Sequence, residues 1–72
     1  MNDQDLVRMA NQIADYFKAY SEEEALAGVA AHIRSFWDPR MRANLAAHLA
    51  GGGKGLSPLA LAAARSLFAP AD

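Results

Sequence analysis

Cysteine is absent from this chain, which removes disulfide staples, thiolate metal sites and thiol nucleophiles at once. Large apolar side chains are also scarce. The hydrophobic fraction is 53%, but alanine supplies 17 of those residues and leaves only 21 larger ones to fill a core. Alanine favours helix yet buries little area. Seventy-two residues make at most one domain, which hides only about 60% of the surface its unfolded form exposes. Marginal stability and reliance on a partner are the expectation, because the usual supports of a mini-protein are missing. An excess of either charge is lacking as well. Seven Lys and Arg against eight Asp and Glu leave a net charge of −1, far from the basic balance of a nucleic-acid-binding domain. No apolar run approaches the roughly 20 residues that span a bilayer, the longest being Leu59 to Ala64. The opening Met1-Asn2-Asp3-Gln4-Asp5 is acidic and leads into an amphipathic stretch, unlike a secretory signal, so a cytoplasmic location without a membrane partner is expected.

What the sequence does contain is helical periodicity, and it predicts an all-α fold. Leu6, Met9, Ala10, Ile13, Phe17 and Tyr20 recur at steps of three and four and mark a first helix over about 5–19, capped by Asp3 or Asp5. Ser21-Glu22-Glu23-Glu24 reads as a capping box, in which the serine oxygen accepts the Glu24 N–H while the Glu24 carboxylate reaches back. It opens a second helix over 22–37 with the stripe Leu26, Val29, Ala30, Ile33, Phe36 and Trp37. Pro39 disfavours helical geometry at Asp38 and so ends it. Asp38-Pro39 is also an N-cap followed by proline at the first helical position. A third helix over 39–50 therefore follows without a real loop, with Met41, Leu45, His48 and Leu49 on one face. Gly51-Gly52-Gly53 stops it. Residues 51–56 read as a flexible linker, after which Ser57-Pro58 opens an alanine-rich fourth helix over 58–68 that Pro70 terminates. The architecture expected is a small antiparallel cluster of three helices plus a more weakly attached fourth. No strand signal and no internal repeat is visible.

Constellations that would carry chemistry are missing. His32 and His48 lie on different helices, and neither has a second good ligand three or four positions away. A di-metal bundle site would want Glu-x-x-His, whereas the Glu22–Glu24 run is followed by Ala25, Leu26 and Ala27 and reads as dipole-complementing charge at a helix start. His48, among Met41, Leu45 and Leu49, reads as a neutral hydrogen-bonded histidine. Gly51-Gly52-Gly53-Lys54-Gly55 invites a phosphate-loop reading, but such a loop follows a strand and runs Gly-Lys-Ser/Thr into the helix. Here a helix precedes it and Leu56 separates the last glycine from Ser57. The serines lack a base, and paired acids are absent outside the Glu run. No catalytic, cofactor-binding or metal-binding residue is predicted in this chain.

The informative segment is His32 to Arg42, where three arginines, a phenylalanine and a tryptophan bracket the corner between the second and third helices. Tryptophan and arginine dominate interface hot spots. Arg34, Phe36, Trp37, Arg40, Met41 and Arg42 are the candidate partner interface, with the guanidinium groups placed to fork onto partner carboxylates. Trp37 fits two roles, interface anchor or centre of the chain's own core. A helix-turn-helix with Arg40 and Arg42 on phosphates is the nucleic-acid alternative, and both the charge balance and the missing polar recognition face argue against it.

Several segments together resemble a known family. They are Leu6 to Ala14, Glu23-Glu24-Ala25, Gly28 to Arg34, Phe36-Trp37-Asp38-Pro39-Arg40-Met41-Arg42, Leu45 to Leu49 and Gly55-Leu56-Ser57-Pro58-Leu59. In this order they look like the delta subunit of NAD-dependent formate dehydrogenase, over about residues 6–62. The resemblance implies a small accessory subunit, without activity of its own, of a soluble cytoplasmic enzyme that oxidises formate to carbon dioxide and passes the electrons to NAD. It implies a large alpha subunit holding pterin-bound molybdenum or tungsten and iron–sulfur clusters, and beta and gamma subunits carrying FMN and further clusters. The delta chain would bind the alpha subunit, and through it beta and gamma, supporting assembly or stability of the active complex. A transient chaperone for metal-cofactor insertion is the alternative.

Overall fold

Capping chemistry sets where each helix begins. The computed structural model describes residues 2–69, in which four helices follow one another: α1 Asp3–Phe17, α2 Glu22–Phe36, α3 Pro39–Ala50 and α4 Pro58–Phe68. Among the described residues there is no strand. Ser21, Asp38 and Ser57 cap α2, α3 and α4, each side-chain oxygen accepting the N–H three residues on. At α1 the cap is Asn2 rather than Asp3 or Asp5, with Asn2 Oδ1 accepting the Asp5 N–H at 2.9 Å. Asp3 and Asp5 then fall inside the first turn, where their charge complements the helix dipole. α1 also ends at Phe17 rather than near Ala19, as the Tyr20 N–H closes a turn onto the Phe17 carbonyl at 3.0 Å. One half of the capping box differs from expectation. Glu24 N–H donates to Ser21 Oγ, but the return bond runs from the serine hydroxyl to the Glu24 carboxylate at 2.9 Å. Pro70, read as the terminator of α4, lies outside the described residues.

The core forms around α2. Leu6, Val29, Ile33 and Leu45 are its largest fully buried side chains, and Trp37 joins them at 4% exposure. Burying each such side chain contributes about 1.5–3 kcal/mol. α2 is flanked by α1 and α4 and hardly touches α3, its successor in the chain. The Asp38-Pro39 corner instead directs α3 onto α1 and α4.

At α4 the structure differs from the sequence reading. Read as a weak appendage, it packs on α2 with Ala60, Ala63 and Ala64 fully buried. The distance between packed helices depends on the side chains at the contact, and a face of methyl groups lets α4 come close and gather dispersion contacts. The radius of gyration is 11.1 Å, matching the roughly 11 Å of a compact chain of this length, so no helix stands apart.

The glycine segment is likewise tied down rather than loose. Asn11 on α1 uses its whole amide on it, Nδ2 donating to the Gly55 carbonyl at 3.0 Å and Oδ1 accepting the Ser57 N–H at 2.8 Å. His48 Nε2 donates to the Lys54 carbonyl at 2.8 Å, as it must, because a carbonyl only accepts. Gly53 is buried with φ +69°, and a Cβ there would fall 2.7 Å from Leu61 Cδ1. Glycine is needed here for the shape of the turn.

Candidate protein interface

The α1–α2 seam leaves an apolar groove open to solvent. The short Lys18–Ser21 connection returns the chain antiparallel, and Gly28 lets the Phe17 ring lie directly on α2, where a Cβ would be 2.5 Å from Phe17 Cε1. From this contact a groove of about 850 Å³ runs toward the α2–α3 corner. Met9, Ile13, Tyr16 and Phe17 line it from α1, with Gln12 as a polar neighbour. His32 and Phe36 line it from α2, and Trp37 and Met41 close its end.

Its walls carry the exposed aromatic rings. Phe36 is 75% exposed, Tyr16 70% and Tyr20 50%. Tyr16 stacks edge-on against Phe17 with centroids 5.0 Å apart, and Tyr20 lies 5.6 Å from Phe17 on its other side. Phe36 rests on His32 at 4.7 Å. Aromatic side chains offer large contact area with few rotors to freeze, and contiguous exposed apolar surface marks interaction sites. Two methionines add adaptable walls.

The six residues singled out from sequence separate into groups. Phe36, Trp37 and Met41 come together at one end of the groove, Phe36 as an exposed wall and Trp37 beneath the surface as part of the core. Arg34 and Arg40 are exposed, and neither forms an ion pair among the described residues. Arg42 works inside the chain: its Nη1 donates to the Arg34 carbonyl at 3.1 Å and to the Trp37 carbonyl. These are carbonyls of the last turn of α2 and its cap, which have no partner within the helix. The α1 wall went unnoticed in the sequence reading. Its only signal was Tyr16, an aromatic residue one position off the apolar stripe of its helix.

No group of three His, Asp or Glu side chains among the described residues could hold a metal, and with no cysteine the chain does not fit an iron–sulfur cluster. Among the described residues no helix is long and apolar enough to cross a membrane.

Fold and surface together define a class: a small all-α helical cluster whose main surface feature is an aromatic-walled groove. Residues 5–64 match the family model of the NADH-dependent formate dehydrogenase delta subunit FdsD, and the chain belongs to that family. No curated protein and no solved structure matches it.

Proposed function

We propose that this chain is a non-catalytic accessory subunit that docks on the large catalytic subunit of a formate dehydrogenase in the cytoplasm and supports assembly or stability of the active enzyme. The observation that carries this reading is the open groove, with Phe36 and Tyr16 mostly exposed on opposite walls. A chain with so few large core residues gains little by leaving two rings in water unless a partner covers them. Family membership names the complex, and the pterin-bound molybdenum or tungsten, iron–sulfur clusters, FMN and NAD belong in this reading to the alpha, beta and gamma subunits.

Co-purification of the tagged chain with the dehydrogenase tests it. The double variant Tyr16→Ala/Phe36→Ala is the useful probe, because both rings are exposed, whereas Trp37→Ala would damage the core and Arg42→Ala the corner. Truncating central interface aromatics commonly costs about 2 kcal/mol or more each, so the double variant should lose the large subunit while keeping its helical circular dichroism. Retention of the large subunit at wild-type yield by this folded variant would assign docking to another face. Stoichiometric presence in the purified active complex separates a permanent subunit from a transient chaperone.

A further inference from the structure

The groove has two chemically unlike ends. At the Phe17 end lie Glu22, Glu23 and Glu24, exposed at the start of α2 and without an ion-pair partner among the described residues. The other charges there, Asp15 and Lys18, pair with each other at 3.7 Å and cancel. At the Met41 end lie Arg34 and Arg40, exposed and likewise without an ion-pair partner among the described residues, with Arg42 half-buried beside them. Asp38 offsets one of these charges, and its carboxylate already accepts the Met41 N–H at 2.9 Å. The nearby Arg8 and Asp5 pair at 3.2 Å. An apolar trough thus runs from an acidic end to a basic end.

The trough is about two helical turns long, since Met9 to Phe17 on α1 spans on the order of 12 Å at 1.5 Å per residue. It is walled by side chains at helical spacing, which suits an amphipathic helix presenting anchors at i, i+3 or i+4, and i+7. A helix carries partial positive charge at its N-terminus and partial negative charge at its C-terminus. Laid in this trough, it is favoured in one direction only.

Resting on the proposed docking to the large subunit, we infer that the groove receives a single amphipathic helix of that subunit, with its acid-bearing C-terminal end at Arg34 and Arg40 and its N-terminal end at Glu22–Glu24. The arginines supply forked donors for carboxylates, and the glutamates complement the unpaired N–H groups of the incoming first turn. The apolar floor holds the helix, and the charges at the two ends set its polarity.

Photo-crosslinking in the assembled complex tests both the occupant and its direction. A photoreactive phenylalanine analogue is placed at position 16 or position 36 of the full chain, and the cross-linked residues of the large subunit are mapped by mass spectrometry. Both positions should report one helix, with the residue captured from position 36 lying C-terminal to that captured from position 16. Capture of a loop or strand, the reverse order, two separate segments, or a second copy of this chain overturns the inference. Charge reversal adds a readout. Arg34→Glu/Arg40→Glu should weaken binding to the large subunit at least tenfold at low salt, with the difference shrinking as salt rises. Lys54→Glu, on the glycine turn away from the groove, should leave binding unchanged. Equal weakening by both variants would also sink the assigned polarity. A complex that forms but cross-links elsewhere removes this inference and leaves the accessory-subunit reading standing. Failure of the wild-type chain to co-purify removes both.

Discussion

Phe36 and Arg42 are six positions apart and do opposite work. Arg42 closes the last turn of α2 through two backbone carbonyls, and a hydrogen bond from a charged donor is worth about 1.5–3 kcal/mol. Arg42→Ala should therefore lower the urea-unfolding free energy by about 2 kcal/mol. Phe36→Ala should change it by less than about 0.5 kcal/mol, as for a surface substitution, and show its effect only in binding. A second residue to probe is Asn11, whose two bonds reach 44 and 46 positions along the chain. Asn11→Asp keeps the acceptor for the Ser57 N–H but turns a donor into an acceptor against the Gly55 carbonyl. A loss of about 1–3 kcal/mol in denaturant titration is the outcome expected. Neither role was legible in the sequence. An arginine beside a corner looks the same whether it faces a partner or its own backbone, and an asparagine within a helix gives no sign of a tie to a loop more than forty residues on.

At the scale of elements, the helices were legible because their signals are local. Ser21, Asp38-Pro39 and Ser57-Pro58 start α2, α3 and α4 by chemistry confined to one turn. The manner in which the elements pack was less legible. An alanine-rich stretch reads as weakly held when judged by area per side chain, yet Ala60, Ala63 and Ala64 are fully buried because α2 offers a surface they can approach closely. The glycine turn misleads in the same way, since glycine serves both loose linkers and strained turns. Gly53→Ala discriminates between the two. A loose linker would tolerate it or gain stability from reduced unfolded-state freedom. With φ +69° and Leu61 Cδ1 2.7 Å from the new Cβ, the substitution should cost about 1–3 kcal/mol, read as a lower thermal midpoint.

For the whole molecule, the balance is between a small core and an open groove. A chain of this length has a total stability of about 4–10 kcal/mol, and Leu45→Ala, at a fully buried site, should remove about 2–5 kcal/mol of it. Binding restores such losses by mass action. A partner present at 100 times its dissociation constant adds about 2.7 kcal/mol, which for a domain this small should raise the midpoint by on the order of 10 °C or more. A wild-type midpoint unmoved by a saturating large subunit would mean that the folded chain is not what that subunit recognises. The candidate site was half visible in the sequence for a related reason. The corner segment is contiguous, so Phe36, Trp37 and Met41 could be read together. The opposite wall comes from α1, and only folding sets Tyr16 across from Phe36.

The position of Trp37 also gives the chain an optical reporter. It is the only indole in the sequence, it is 4% exposed, and it sits at the end of the groove. Global unfolding moves it into water and shifts its emission to the red, whereas an occupant over the groove changes the intensity while the band stays blue. One unlabelled fluorescence trace therefore separates loss of the fold from filling of the groove.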